Sequence, residues 1–104
     1  MAVEDQVLSG TVPASGTVDL VLRSWAGQTW TIQQVSPDAP NVGGAASGGV
    51  YKNDNLIAPF VPQGDAVAGE PYPKIRGSDR LQIRWTGATP GAQVSALVIY
   101  DDGT

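Results

Sequence analysis

The chain has no cysteine and no histidine among its 104 residues. Without thiols there is no disulfide framework, no thiolate metal site and no cysteine nucleophile. Without imidazole the commonest general base and metal ligand is missing, which excludes Ser-His-Asp and Cys-His catalysis and His-bound zinc. Basic residues are also scarce: 6 Lys and Arg stand against 10 Asp and Glu, for a net charge of -4. An electrostatic grip on a phosphate backbone needs clustered cations, so nucleic acid is not an expected partner. No apolar run reaches the roughly 18 residues of a membrane-spanning helix, and MAVEDQVLSG carries acids where a signal peptide carries bases and an apolar stretch. Neither a membrane nor a cofactor is expected, and synthesis is expected in the cytoplasm.

Turn formers are abundant, with 13 Gly and 8 Pro. Together with 41% hydrophobic and only 15% charged residues, they describe a folded, turn-rich chain. At this length it is expected to form one domain, residues 1–104, with one modest core.

Two-residue alternation is the dominant pattern. Val18, Leu20 and Leu22 alternate with Asp19 and Val21; Trp30 and Ile32 alternate with Thr29, Thr31 and Gln33; Leu81, Ile83 and Trp85 alternate with Gln82 and Arg84. Each run reads as a half-buried strand, with Trp30 and Trp85 in the core. A first strand near Gln6 to Val12 is followed by Pro13-Ala14-Ser15-Gly16, which suggests a hairpin to the second. The short SWAGQ link suggests that the second and third strands are neighbours. GVYKNDNLIAPF resumes strand character around an Asn53-Asp54-Asn55 turn, and Pro59 marks a sheet edge or a strand end. The final strand, QVSALVIY, is apolar on both sides, through Val94, Ala96 and Val98 and through Leu97 and Ile99, and so needs a cover on each face.

No window has a sustained helical period. Seven to eight short strands with two long loops, residues 37–49 and 61–73, predict an all-β fold: a single antiparallel β-sandwich, with jelly-roll connections as one way to join the strands and a closed barrel as the alternative.

Tests for chemistry return little. Asp65 and Glu70 share one loop and are the least implausible acid pair for sugar hydrolysis, which needs carboxylates roughly 5 to 10 Å apart; the bland reading, two surface acids, is preferred. Asn53, Asp54 and Asn55 are hard oxygen donors but lack the alternating pattern of a calcium loop, so a turn is the better reading. Arg76, Arg80 and Arg84 recur every four residues, yet Gly77 and the LQIRW alternation argue against a shared helical face, and a solvated strand edge is expected rather than an anion site. In WTGATPGAQ there is no lysine and no following helix for a phosphate cradle; Thr89-Pro90-Gly91-Ala92 has the order of a type II turn. Trp25 and Tyr72 lie in connections and are the aromatic side chains best placed to meet a partner.

VYKNDNLIAPFVPQGDAVAGEPY followed by LQIRWTGATPGAQVSALVIY resembles small virion proteins of tailed bacteriophages that infect actinobacteria. The matching positions are Val50, Tyr51, Asn53, Gly64, Asp65, Pro71, Trp85, Gly87, Ala88, Pro90, Gly91 and Ala92; the N-terminal half matches only through a GTV strand and the TWTIQQVS strand. The resemblance implies a non-enzymatic structural component, a capsid decoration or minor capsid protein on the outer surface of the virion, and brings no catalytic or ligand residues. Its expected partner is the major capsid protein of the phage head, with self-association into a homo-oligomer, a trimer by preference. The expected contact set is Met1, Ala2, Val3, Glu4 and Asp5 from an N-terminal arm over residues 1–6 that reaches across a subunit boundary, together with Trp25, Asp65 and Tyr72. Two other readings stay open: a virion-displayed carbohydrate-binding module that uses Trp25, Tyr72 and the long loops, and a tail accessory protein.

Overall fold

The computed structural model describes residues 3–24, 27–39, 41–43, 46–60 and 73–103. Among the described residues eight strands follow in chain order: β1 (Val3–Thr11), β2 (Val18–Leu22), β3 (Trp30–Asp38), β4 (Ser47–Lys52), β5 (Asn55–Phe60), β6 (Lys74–Ile75), β7 (Leu81–Thr86) and β8 (Gln93–Asp101). They form two four-stranded sheets, β1-β8-β3-β6 and β2-β7-β4-β5. The antiparallel pairs β1·β8, β2·β7, β3·β6 and β4·β5 are nested one inside the next. A long double-stranded ribbon closed by the β4–β5 turn and rolled over on itself produces this order, which is that of a jelly roll.

The core lies between the sheets, where the alternating residues of both inner faces meet. Leu81, Ile83 and Trp85 of β7 and Val50 of β4 face Trp30, Ile32 and Val35 of β3 and Val94, Ala96, Val98 and Tyr100 of β8, all of them buried. Both expected core tryptophans are there. The period of two breaks once in β3: the register against β8 shifts between Ile32 and Gln34. This bulge returns Val35 and Pro37 to the inner face after Trp30 and Ile32.

Two expected pairings are corrected. β1 and β2 do not form a hairpin, because β1 pairs with β8 and β2 with β7 in the opposite sheet. Nor are β2 and β3 neighbours, since they too belong to different sheets. Short links such as residues 12–17 turn the corner of a sandwich as readily as they close a hairpin, and both strands need a cover on one face, which the opposite sheet provides. The expected arm is also corrected at residues 3–6: Val3, Glu4, Asp5 and Gln6 are strand residues opposite Asp101, Tyr100, Ile99 and Val98. Their side chains lack an apolar pattern because this end of the sheet is open to solvent, but backbone hydrogen bonding to the long β8 extends the strand regardless of side-chain polarity.

The turn chemistry holds. Asn53 and Asp54 both have positive φ, 52° and 68°, as a two-residue type I′ hairpin requires. Gly91 has φ 88° and the Ala92 amide donates to the Thr89 carbonyl at 3.1 Å, the geometry of a type II turn. β5, with Pro59, lies at a sheet edge.

Candidate functional site

The outer face of the β2-β7-β4-β5 sheet carries a charged network beside the exposed Val21 and Leu56, which stand opposite Gln82 and Tyr51. On the β2-β7-β4-β5 sheet the alternation that buries Leu20 and Ile83 turns Asp19, Gln82, Arg84 and Tyr51 outward, and the register sets Asp19 opposite Arg84 and Tyr51 opposite Gln82. Arg84 donates from Nε to Asp19 Oδ1 at 2.6 Å and from Nη2 to Asp19 Oδ2 at 2.9 Å, a two-point carboxylate clamp. The same Nη2 reaches Asp54 Oδ1 at 3.2 Å, and the guanidinium lies 4.4 Å from the centre of the Tyr51 ring, within cation–π range. Gln82, only 3% exposed, donates to Asp54 Oδ1 at 3.0 Å and Asp19 Oδ2 at 3.3 Å while its Oε1 accepts from the Asp54 amide at 2.8 Å. Arg80 Nη2 completes the cluster on Asp54 Oδ2 at 2.8 Å.

The network continues into the turn after β6. Asn53 Nδ2 donates to Asp79 Oδ1 at 2.9 Å, Asn53 Oδ1 accepts from the Arg80 amide at 2.9 Å, and Asp79 Oδ2 accepts from the Arg76 amide at 3.0 Å. The side-chain oxygens of Asn53 and Asp54 are therefore engaged with protein groups. Arg80 and Arg84 have their charge matched by carboxylates, and the arrangement works as a clasp that ties β2, β7 and the β4–β5 hairpin together rather than as an anion site.

Hydrogen bonds from Gln82 and Arg80 hold the Asp54 carboxyl below its ordinary 3.8, and the Asn53 and Arg76 bonds do the same for Asp79. Asp19, through its hydrogen bonds to the guanidinium, strengthens the charged state of Arg84. A depressed carboxyl value favours the folded state while the unfolded chain is ionised, so this stabilisation is complete above pH 3.8 and is lost as pH falls below it through the folded values. Urea midpoints measured from neutral pH downwards should decline across that window in the wild type and decline less steeply in Asp54→Asn. Equal slopes would show that the clasp does not couple to folding.

On the opposite face, formed by β1-β8-β3-β6, the same alternation leaves apolar side chains uncovered. Val7 stands opposite Leu97, Asp5 opposite Ile99 and Val3 opposite Asp101; beyond them Ser36 pairs with Leu97, Gln34 with Ile99 and Asp38 with Ser95. Val3 and Val7 are 55% and 70% exposed, and Leu97 and Ile99 are half-buried. The charged residues on this face are Asp5, Asp38 and Asp101, with Lys74 at the far β6 edge opposite Thr31. The result is an apolar centre with an acidic rim.

Of the contact residues expected from sequence, Val3 and Asp5 lie on this face. Glu4 points inward, where the buried Tyr100 hydroxyl donates to its Oε2 at 3.3 Å and Gln6 Nε2 donates to the same hydroxyl at 3.4 Å. Burial raises the Tyr100 phenol above its ordinary value. Met1, Ala2, Trp25, Asp65 and Tyr72 lie outside the described residues, as does Glu70. Sequence reasoning found the outward Leu97 and Ile99 from the double-sided pattern of β8. It missed Val7, which belongs to their row only through the β1·β8 register, and it missed the Asp19–Arg84 clasp, whose partners are 65 positions apart.

No protein-family model matches the chain, and no curated protein matches it. Among solved structures it is similar to the crystal structure of dimeric latent PorU from Porphyromonas gingivalis, with a TM-score of 0.38 and 12% identity. The match covers 96% of this chain but only 13% of that one. At this score and this share of its length, nothing about the longer protein's activity transfers to the chain.

Proposed function

We propose that this chain is a structural virion protein that docks on the outside of a phage head and reinforces the lattice through the outer face of its β1-β8-β3-β6 sheet. The observation that carries the reading is the composition of that face, with Val7, Leu97 and Ile99 at the centre, Asp5, Asp38 and Asp101 around them, and Val3 exposed at the end of β1 beside Asp5 and Asp101. An uncovered apolar patch with a polar rim is the anatomy of a protein interface. The acidic rim selects a partner surface that presents Lys or Arg, here assigned to the major capsid protein. Virion context comes from the resemblance of residues 50–92 to small phage virion proteins. Jelly rolls recur in viral capsid domains, although a fold alone fixes no function. On a lattice, copies held at high local concentration bind together far more tightly than one copy does.

Cosedimentation of the purified protein with phage capsids that lack it tests the reading. Wild type should pellet with capsids. Leu97→Glu, at a half-buried outward position on this face, should bind about thirtyfold more weakly with an unchanged far-ultraviolet spectrum, the effect of losing a central interface residue worth about 2 kcal/mol. Absence of wild-type pelleting, or equal pelleting of Leu97→Glu and Ile99→Glu, would reject it. Gold labelling on intact particles then separates head from tail.

A further inference from the structure

The two sheets present four edges among the described residues, and three of them are poor templates for another strand. β6 is 2 residues long, β2 is 5 residues long, and β5 carries Pro59 and a register shift opposite Val50 and Tyr51. Short strands, prolines and bulges are the usual devices that keep sheet edges from pairing. β1 has none of them. It runs for 9 residues, contains no proline or lysine, and keeps unbroken register against β8 from Val3 to Thr11.

The direction of its backbone groups follows from its C-terminal end. Val12 donates to the Ala92 carbonyl at 2.9 Å and accepts from the Gly91 amide at 2.8 Å, so Val12 turns its peptide groups toward the β8 side. Peptide groups alternate in direction along an antiparallel strand. Even-numbered residues of β1 therefore bond to β8, and Val3, Asp5, Val7, Ser9 and Thr11 direct their N–H and C=O groups to the open edge.

From this we infer that β1 pairs antiparallel with β1 of a second copy about a two-fold axis through Val7, which joins two four-stranded sheets into one. In that register Val7 faces Val7, Asp5 faces Ser9 and Val3 faces Thr11, so every open-edge peptide group from Val3 to Thr11 meets a partner. The charges agree with it: Glu4 and Asp5 meet Gly10 and Ser9 of the other copy, whereas an axis through Asp5 would set carboxylate against carboxylate. Side-chain packing agrees as well, because the apolar row Leu97–Val7 of one copy continues into Val7–Leu97 of the other and covers a valine that is 70% exposed in the single chain. An edge that pairs with itself closes at two copies, so the dimer replaces the trimer expected from sequence.

The absence of cysteine makes the test direct. Facing residues of a hydrogen-bonded antiparallel pair have Cα atoms about 5.5 Å apart, within the range of about 4.4 to 6.8 Å that a disulfide spans. Mild oxidation of Val7→Cys should yield a covalent dimer, while Thr86→Cys, exposed on the other sheet, should remain a single chain. By sedimentation the wild type should run at twice the mass of the chain. Val7→Pro, which removes an N–H from the open edge and leaves the β1·β8 bonds intact, should run at half the wild-type mass with an unchanged far-ultraviolet spectrum. A monomeric wild type at high micromolar concentration, or a dimer that survives Val7→Pro with no Val7→Cys cross-link, would overturn the inference. The dimer is read on the isolated protein and docking on capsids, so either can fail without the other.

Discussion

Trp30→Ala should lose about 3–5 kcal/mol, the cost of deleting a fully buried large aromatic side chain. Trp30 is 1% exposed, and its ring stacks on Tyr100 with centroids 4.1 Å apart and planes 15° from parallel. It stands opposite Ile75, and its indole N–H donates to Gln28 Oε1 at 2.7 Å. Removing it therefore opens a cavity at one end of the core, strips Tyr100 of its stacking partner and leaves the Gln28 acceptor without that donor. A small domain has a total stability of about 5–15 kcal/mol, so the loss is a large share of the whole. Urea unfolding should show a much lower midpoint with a similar slope. Trp30→Phe, which keeps an aromatic ring in the site, should recover part of the loss. A midpoint unchanged in Trp30→Ala would mean that the sheets do not close over this residue.

Gly16→Val should cost about 2–3 kcal/mol through two effects that a second glycine separates, an unfavourable dihedral worth about 1–2 kcal/mol and a steric clash. Gly16 has φ 79°, and a Cβ there would lie 3.1 Å from the Ala88 carbonyl oxygen. That backbone is held in place, because the Ala88 amide donates to the Gly16 carbonyl at 3.0 Å and the Gly16 amide donates to the Pro13 carbonyl at 3.0 Å. The valine would meet both the dihedral cost and a backbone carbonyl oxygen close enough that the Ala88 peptide has to shift. Gly91 has φ 88°, and a Cβ at that position would meet nothing within 4 Å, so Gly91→Val should lose only the dihedral part. For a domain of this size each kcal/mol lowers the melting temperature by roughly 4–8 °C. Gly16→Val should melt well below Gly91→Val. Equal melting temperatures would show that the 12–17 corner does not pack against the 87–92 turn.

The turns and the core are legible in the sequence because each depends on a few adjacent residues. Asn53 and Asp54 tolerate left-handed dihedrals, Pro90 and Gly91 set a type II turn, and Pro59 lacks the donor that a central strand needs. Trp30 and Trp85 fall on the apolar side of alternating runs, and the double-sided β8 announces an uncovered face. The bulge at Gln33 is not legible: a run of WTIQQV has the same composition whether or not one residue is squeezed out of the ladder.

Sequence by itself thus determined the inward residues of β2, of β7 and of β3 up to Ile32, where the chain bends, and which catalytic chemistries lack their side chains. Tertiary structure alone decided which strands pair, that Val3 to Gln6 belong to the first strand, that Arg84 closes on Asp19, and that Val7 joins Leu97 at an open edge. The physical reason is range. Alternation and turn preference act over a few residues and look the same for any partner strand, whereas pairing and register are settled by contacts between distant segments and by the burial that only the closed sandwich provides.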